Sequence, residues 1–203
     1  MNLRHLIWPL ALSVASPLNA SQPAVHSELP PQTVFLQRLQ SLCGLAFEGH
    51  VAVDTPAEAN NPFADKTLLM HVRECTDDGL RIPFHVGDDR SRTWVLSRTA
   101  TGLRLKHDHR HADGTPDSTT LYGGDTTDDG SEQRQVFPVD AESIALFRAE
   151  GREVSTRNTW AMEIRPGEQF VYELSRPGGR LFRVVFDLSR PVDAPPAPWG
   201  AEH

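Results

Sequence analysis

Short stretches in which apolar and polar residues alternate follow one another along most of the chain, separated by turns rich in Asp, Gly or Pro. This alternation is typical of strands that bury one face, because successive side chains point to opposite sides of a sheet. Strands joined by such short turns form an antiparallel meander. We expect strands near residues 47–53, 67–75, 80–86, 92–98, 103–111, 118–122, 133–137, 160–164, 170–174 and 181–188.

Two segments have helical spacing instead. Phe35, Leu39 and Leu42 predict a short helix over residues 32–42, and Gly44 follows where a C-terminal cap is needed. A second short helix is predicted over residues 141–149, with Asp140 placed to cap its N-terminus.

The meander predicts a mainly β domain over residues 32–190. Closing such a sheet into a barrel removes its exposed edges, so we expect a single antiparallel sheet that is closed or nearly closed. A two-sheet sandwich is the alternative. Residues 21–31 are interpreted as a polar lead-in, and residues 191–203, with four prolines, as a disordered tail.

The first 20 residues have the features of a secretory signal peptide, with cleavage after Ala15 or Ala20. The apolar run from Leu6 to Ala15 is shorter than the ~20 residues that a membrane-spanning helix needs. We therefore expect a periplasmic or secreted bacterial protein without a transmembrane segment after signal removal. An oxidising compartment favours a disulfide between Cys43 and Cys75, the two cysteines of the chain.

The formal net charge is −7, which argues against nucleic-acid binding because that function requires a concentrated basic surface. The sequence does not predict an oligomeric state.

The strand predicted over residues 103–111 carries the most distinctive chemistry. Leu103 and Leu105 mark one face of this strand as the core face. The same alternation places His107, His109 and His111 on that face. Three imidazoles are therefore expected to continue a buried row toward one end of the barrel.

Three roles are open for these histidines. Neighbours on one face of a strand lie about 7 Å apart, so His107, His109 and His111 could share a Zn or Fe ion with a ligand from another strand. They could instead form a hydrogen-bonded structural cluster, or contact a ligand. No nucleophile motif accompanies them, so the sequence does not decide whether the protein is an enzyme.

A cavity inside the barrel would be lined by aromatic and imidazole side chains. The candidate ligand-binding residues are Trp94, His107, His109, His111, Tyr122, Trp160 and Tyr172, with Phe170 as a further wall. Arg90, Arg92 and Arg98 flank Trp94 and could clamp a carboxylate, although surface arginines are the simpler interpretation.

A short helix running into Leu42-Cys43-Gly44-Leu45-Ala46-Phe47 and then a meander resembles the layout of calycin barrels, the lipocalin and fatty-acid-binding group. That resemblance covers roughly residues 32–190 and implies an interior cavity for a small apolar ligand. The lipocalin Gly-x-Trp signature is absent, since Gly44-Leu45-Ala46 stands in its place. The block 107–111, with Tyr122-Gly123-Gly124-Asp125-Thr126 downstream, is similar to a group of secreted bacterial proteins of undetermined function.

Three functions follow as hypotheses. The first is an exported protein that binds a small molecule, with the histidine strand at its cavity. The second is a metal-dependent enzyme that uses Zn or Fe. The third is an envelope or partner-binding protein in which the histidines are purely structural. A lined cavity favours the first function, and a filled interior favours the third.

Overall fold

The computed structural model describes residues 29–58 and 61–201. The predicted signal peptide, the cleavage site and most of the lead-in lie outside these residues. Eleven strands form one antiparallel sheet that is nearly closed into a barrel, so the predicted fold class is confirmed. The strands are β1 (Ala46–Thr55), β2 (Leu68–His71), β3 (Glu74–Thr76), β4 (Gly79–Val86), β5 (Asp89–Arg98), β6 (Leu103–His109), β7 (Tyr122–Asp125), β8 (Arg134–Pro138), β9 (Thr159–Arg165), β10 (Gln169–Arg176) and β11 (Arg180–Asp187).

The order of strands around the barrel is β7-β6-β5-β4-β2-β1-β11-β10-β9-β8, and β3 pairs with β4 at the side. The two end strands, β7 and β8, approach each other without forming a ladder. The backbone N–H of Asp140, just beyond β8, donates to the carbonyl oxygen of Gly123 in β7 over 3.0 Å. This contact almost completes the ring.

Two α-helices accompany the sheet: α1 (Pro31–Gln40) and α2 (Ala141–Ala149), with a short 3₁₀ helix at Glu153–Arg157 that the sequence pattern does not predict. Helix α1 buries Phe35, Leu36 and Leu39 in the barrel core. Helix α2 begins as predicted, because the Asp140 carboxylate accepts a hydrogen bond from the backbone N–H of Ser143.

The predicted disulfide between Cys43 and Cys75 is present. It ties the segment after α1 to β3, across a separation of 32 residues. Within residues 29–58 and 61–201, no helix is both long enough and apolar enough to cross a membrane.

The predicted strand over residues 67–75 is wrong in one respect: it divides into β2 and β3 at Val72 and Arg73. The pairing strand predicted over residues 118–122 is displaced, since β7 begins at Tyr122 and runs through Gly123 and Gly124. A Cβ at Gly123 would lie 1.8 Å from the Leu105 carbonyl oxygen. This strand position therefore requires glycine, because any side chain would prevent the backbone of β7 from lying so close to the Leu105 carbonyl oxygen.

Residues 191–201, which we name the C-terminal strap, lie against the barrel, where the sequence predicts a disordered tail. The strap exchanges hydrogen bonds with the sheet at Ala46, Arg73 and Arg90. Proline cannot donate to a ladder, so a proline-rich segment can pack on a sheet without joining it as a strand.

His85 is another difference from expectation. Its place in β4 opposite the apolar face predicts exposure to solvent, but only 3% of the residue is exposed. Pro195 and Pro196 of the strap lie across from His85 and Leu69 on the outer face of the sheet. Burial lowers the pKa of His85 to about 4.

Candidate functional site

A cavity of about 300 Å³ opens into the barrel and is the candidate site. This volume lies at the small end of the range for ligand pockets, which is about 300–1,000 Å³. Strands β4, β5, β6, β7, β9, β10 and β11 contribute side chains to its wall, and loops close its mouth. The residues of the wall that belong to the predicted set are Trp94, His107, His109, Tyr122, Trp160 and Tyr172.

His107 lies at the buried end of this set, and both of its ring nitrogens are hydrogen-bonded. Nδ1 lies 3.1 Å from the carbonyl oxygen of Tyr122, which can only accept, so Nδ1 carries the proton. Nε2, 2.8 Å from the Tyr172 phenol oxygen, then accepts the hydrogen bond that Tyr172 donates. Tyr172 and the β7 backbone therefore hold the imidazole in one tautomer and one orientation.

His109 lies nearer the mouth and makes a different contact. Its Nε2 lies 3.1 Å from the phenol oxygen of Tyr122, and its backbone N–H donates to the Thr120 hydroxyl. The two pairs, His107 with Tyr172 and His109 with Tyr122, give the cavity a polar side that is built from uncharged groups.

Much of the inner wall is aromatic. Trp94 stacks on Tyr172 with ring centroids 4.6 Å apart, and Tyr122 stacks on His107 at 4.7 Å. Trp160 lies 5.0 Å from His107 and 5.8 Å from Tyr122 by the same measure. Flat rings on several sides make a surface that suits a planar or compact apolar body.

Burial keeps the inner groups neutral at pH 7. It lowers the pKa of His107 to about 3 and that of His109 to about 4, with the positive charge of Arg92 adding to the effect on His109. Burial also raises the pKa of Tyr122 to about 12 and the pKa of Tyr172 well above its usual range. The interior offers hydrogen bonds without offering charge.

Charge is confined to the mouth. Four arginines and two acidic residues line the cavity there: Arg92, Arg152, Arg176, Arg180, Glu58 and Asp117. Arg180 forms ion pairs with Asp54 and Glu58, and Arg92 forms one with Asp89. Among the described residues, no hydrogen bond or ion pair engages the side chains of Arg152 and Arg176. Arg152 and Arg176 are therefore the arginines of the cavity lining whose guanidinium groups no described carboxylate pairs with.

The outer side of β6 fixes the histidine strand in place. Asp108 is only 3% exposed and accepts hydrogen bonds from Arg81 at 2.7 Å and Arg110 at 3.0 Å. Burial alone would raise the pKa of this carboxyl, but the two guanidinium groups outweigh it and hold the pKa below its usual value. This cluster anchors the strand between its two cavity histidines.

His111 is the predicted site residue that the structure does not bring to the cavity. Strand β6 ends at His109, and the chain turns at residues 111–115, where His111 is exposed. Phe170, the additional predicted wall, packs in the core against Phe186 and Trp94 and does not line the cavity. Side chains alternate between the two faces of the sheet as far as β6 extends. The turn that follows ends this alternation before His111.

The histidines of β6 do not converge on a common point with other metal-binding side chains in the described part of the chain. Over residues 29–58 and 61–201, no group of three or more His, Cys, Asp or Glu side chains is placed to hold one. Both nitrogens of His107 already have partners, and His111 lies outside the cavity. These residues do not fit a shared Zn or Fe ion, so the metal hypothesis stays a prediction that this geometry does not support.

Three arginines of the mouth are not predicted from the sequence: Arg152, Arg176 and Arg180. Arg152 carries no signal, because it follows α2 in a loop whose path the sequence does not specify. The sequence does contain a signal for the other two arginines. Arg176 and Arg180 flank the Pro177-Gly178-Gly179 turn, and a hairpin there makes them direct neighbours across β10 and β11.

Comparisons of the chain with family models, with curated proteins and with solved structures found no match. A function for this barrel therefore has to be argued from its cavity.

Proposed function

We propose that the protein is an exported binding protein that holds one small molecule in the barrel cavity. The observation that carries this proposal is the cavity itself, about 300 Å³ lined by stacked aromatic rings and by uncharged His–Tyr pairs. A calycin-like barrel with a purely structural interior would fill this space with side chains.

The wall has the composition of a binding site. Apolar faces supply the contact area, and a few fixed polar groups orient the ligand. His107 and Tyr172 are rigid, since each is hydrogen-bonded and packed. His109 and Tyr122 face the cavity nearer its mouth. A preformed wall of this kind loses little conformational entropy on binding.

Export is supported by two features: the signal-like pattern of the first 20 residues and the disulfide between Cys43 and Cys75. A fusion of residues 1–40 to alkaline phosphatase in a bacterial host measures this part. Enzyme activity requires delivery to the periplasm, so an inactive, cytoplasmic fusion overturns export.

Binding is measured with 1-aminoanthracene, a neutral probe whose fluorescence rises in an apolar site. We expect about one probe per protein. Leu174→Trp fills the cavity from β10 and should weaken probe binding about tenfold or more. Ser175→Trp introduces the same side chain at the next position of the strand, outside the cavity lining, and should leave binding unchanged.

The proposal fails if the wild-type protein gives no probe binding, or if Leu174→Trp binds the probe as tightly as Ser175→Trp. Native mass spectrometry of the protein purified from the periplasm then identifies the mass of any molecule that it retains.

A further inference from the structure

The arginines at the mouth give the cavity a charge preference, and this inference rests on the function proposed above. Arg176 and Arg180 are directly opposed across β10 and β11. Like charges in that position repel each other. Arg180 is neutralised by Asp54 and Glu58. The side chain of Arg176 has no hydrogen bond and no ion pair within the described part of the chain, although the residue is half-buried.

A half-buried guanidinium without a partner is costly, because it has lost part of its hydration without gaining a counter-charge. Desolvation is the main cause that lowers the pKa of Arg176, and the charge of Arg180 adds to it. Arg152 approaches the same cavity from the loop after α2 and is likewise unpaired among the described residues. Glu58, which pairs with Arg180, offsets part of this effect on the pKa of Arg176 without forming an ion pair with Arg176, and Asp117 forms no ion pair among the described residues.

Unlike the mouth, the interior of the cavity favours an uncharged group. His107, His109, Tyr122 and Tyr172 are neutral there, and the rest of the inner lining, which includes Trp94 and Trp160, is also uncharged. A charged group placed among them would lose its hydration without an ion pair. A ligand that fits both regions has an uncharged ring body and one anionic group at the end that faces the mouth.

We propose that the cavity binds a small aromatic carboxylate, with the ring against the aromatic wall of the cavity and the carboxylate held at the mouth by Arg176 and Arg152. A guanidinium presents paired N–H groups that match the two oxygens of a carboxylate. The volume of about 300 Å³ accepts a compact body of up to three fused rings.

The test compares two probes of nearly the same shape by isothermal titration calorimetry: 2-naphthylacetate, which is an anion, and 2-naphthylacetamide, which is neutral. We expect the carboxylate to bind the wild-type protein about tenfold or more tightly than the amide, as a charge-assisted pair at a partly buried site allows. Raising the salt concentration should narrow this difference, because it screens the exposed part of the attraction.

Arg176→Gln should remove most of the preference for the carboxylate and leave the affinity for the amide within about twofold. Arg152→Gln, at an exposed position that tolerates substitution, should reduce the preference by a smaller factor. Arg165→Gln is the matched control, since Arg165 is an exposed arginine of β9 that does not line the cavity. Thermal unfolding of each variant confirms that it is folded.

The outcomes separate the two proposals. Equal binding of acid and amide, or a preference that survives the double substitution of Arg152 and Arg176, overturns the carboxylate inference and leaves cavity binding in place. Failure of both naphthyl probes in a protein that binds 1-aminoanthracene overturns this ligand class. Failure of 1-aminoanthracene as well overturns the proposed function itself.

Discussion

At the scale of single residues, the pair of His107 and Tyr172 controls the base of the cavity. The imidazole has no contact with water to replace a missing partner, since the residue is only 3% exposed. Its protonated nitrogen is satisfied by a carbonyl of β7, and the other depends on one phenol O–H. An unsatisfied buried acceptor costs more than the net value of the bond it loses.

Tyr172→Phe is therefore expected to lower the free energy of unfolding by about 1–3 kcal/mol. Urea denaturation followed by fluorescence measures this change. Tyr122→Phe is the matched control, because its partner His109 is less buried and can bind water in place of the phenol. Its cost should be smaller, and an equal or larger cost would show that burial of His107 is not the cause.

The residue scale also shows how far the sequence predicts the site. Alternation in β6 correctly predicts that His107 and His109 face inward, and the aromatic members Trp94, Trp160 and Tyr172 line the cavity as expected. The prediction that His111 faces inward is wrong, because the strand ends two residues earlier than the pattern suggests. Arg152 could not be foreseen, since a loop residue reaches a cavity only through the tertiary path of the chain.

At the scale of elements, the nearly closed seam between β7 and β8 depends on Gly124. A Cβ at Gly124 would lie 1.7 Å from the carbonyl oxygen of Pro138, which is a backbone atom and cannot rotate away. Gly123 approaches the backbone of Leu105 in β6 just as closely, on the other side of β7. The seam is close because Gly124 has no side chain.

Gly124→Ala should force β7 and β8 apart and lower the free energy of unfolding by about 1–3 kcal/mol or more. Chemical denaturation measures the loss. For comparison, Gly167→Asn changes a turn glycine with φ of 72° and open space around it, where asparagine is tolerated. If Gly124→Ala is no more costly than this control, the seam is looser than the contact distances imply.

Helices and strands were predicted best where apolar residues recur at a regular helical or strand spacing. The helices begin within one residue of their expected positions, and most strands match the alternation. The double glycine of β7 lies beyond the strand predicted over residues 118–122, because glycine usually weakens strands. The C-terminal strap was expected to be disordered, because its proline content has no period. The structures of the β7 glycines and of the strap depend on the residues that the rest of the fold places beside them. The local sequence pattern does not contain this information.

At the scale of the whole molecule, buried histidines link stability to pH. Burial is the largest cause that lowers the pKa values of His71, His85, His107 and His109. In the unfolded chain these groups take up protons near pH 6.5. Between that pH and the lower folded pKa values, the unfolded state binds more protons than the folded state. Stability is therefore complete above about pH 6.5 and decreases as the pH falls.

Urea denaturation at pH 7 and pH 5 should show this decrease, with a limiting slope of about 1.4 kcal/mol per pH unit for each fully buried histidine. Carboxylates contribute little in this interval, since they titrate below it. His85→Gln should make the dependence shallower, while His50→Gln, at an exposed position, should not change it. A stability that is constant between the two pH values would contradict the assigned burial.

The C-terminal strap gives a second prediction at this scale. Removing residues 191–203 deletes hydrogen bonds to Ala46, Arg73 and Arg90 and uncovers His85. We expect the free energy of unfolding to fall by about 1 kcal/mol for each hydrogen bond removed. We also expect this free energy to depend less on pH, because His85 gains access to water. Denaturation of the shortened protein at pH 7 and pH 5 measures both effects. Asp193→Asn, at an exposed position in the strap, is the control that should change neither.

The pairing of β1 with β11 has a consequence for synthesis. These strands stand side by side in the barrel, yet one is near the start of the described chain and the other near its end. A nascent chain therefore carries β1 with an unpaired edge until almost all of the protein has been made. Completing the barrel late is compatible with passage through a translocation channel in an extended form. It also means that a truncated product lacking β11 would expose the strand edge on which aggregation begins.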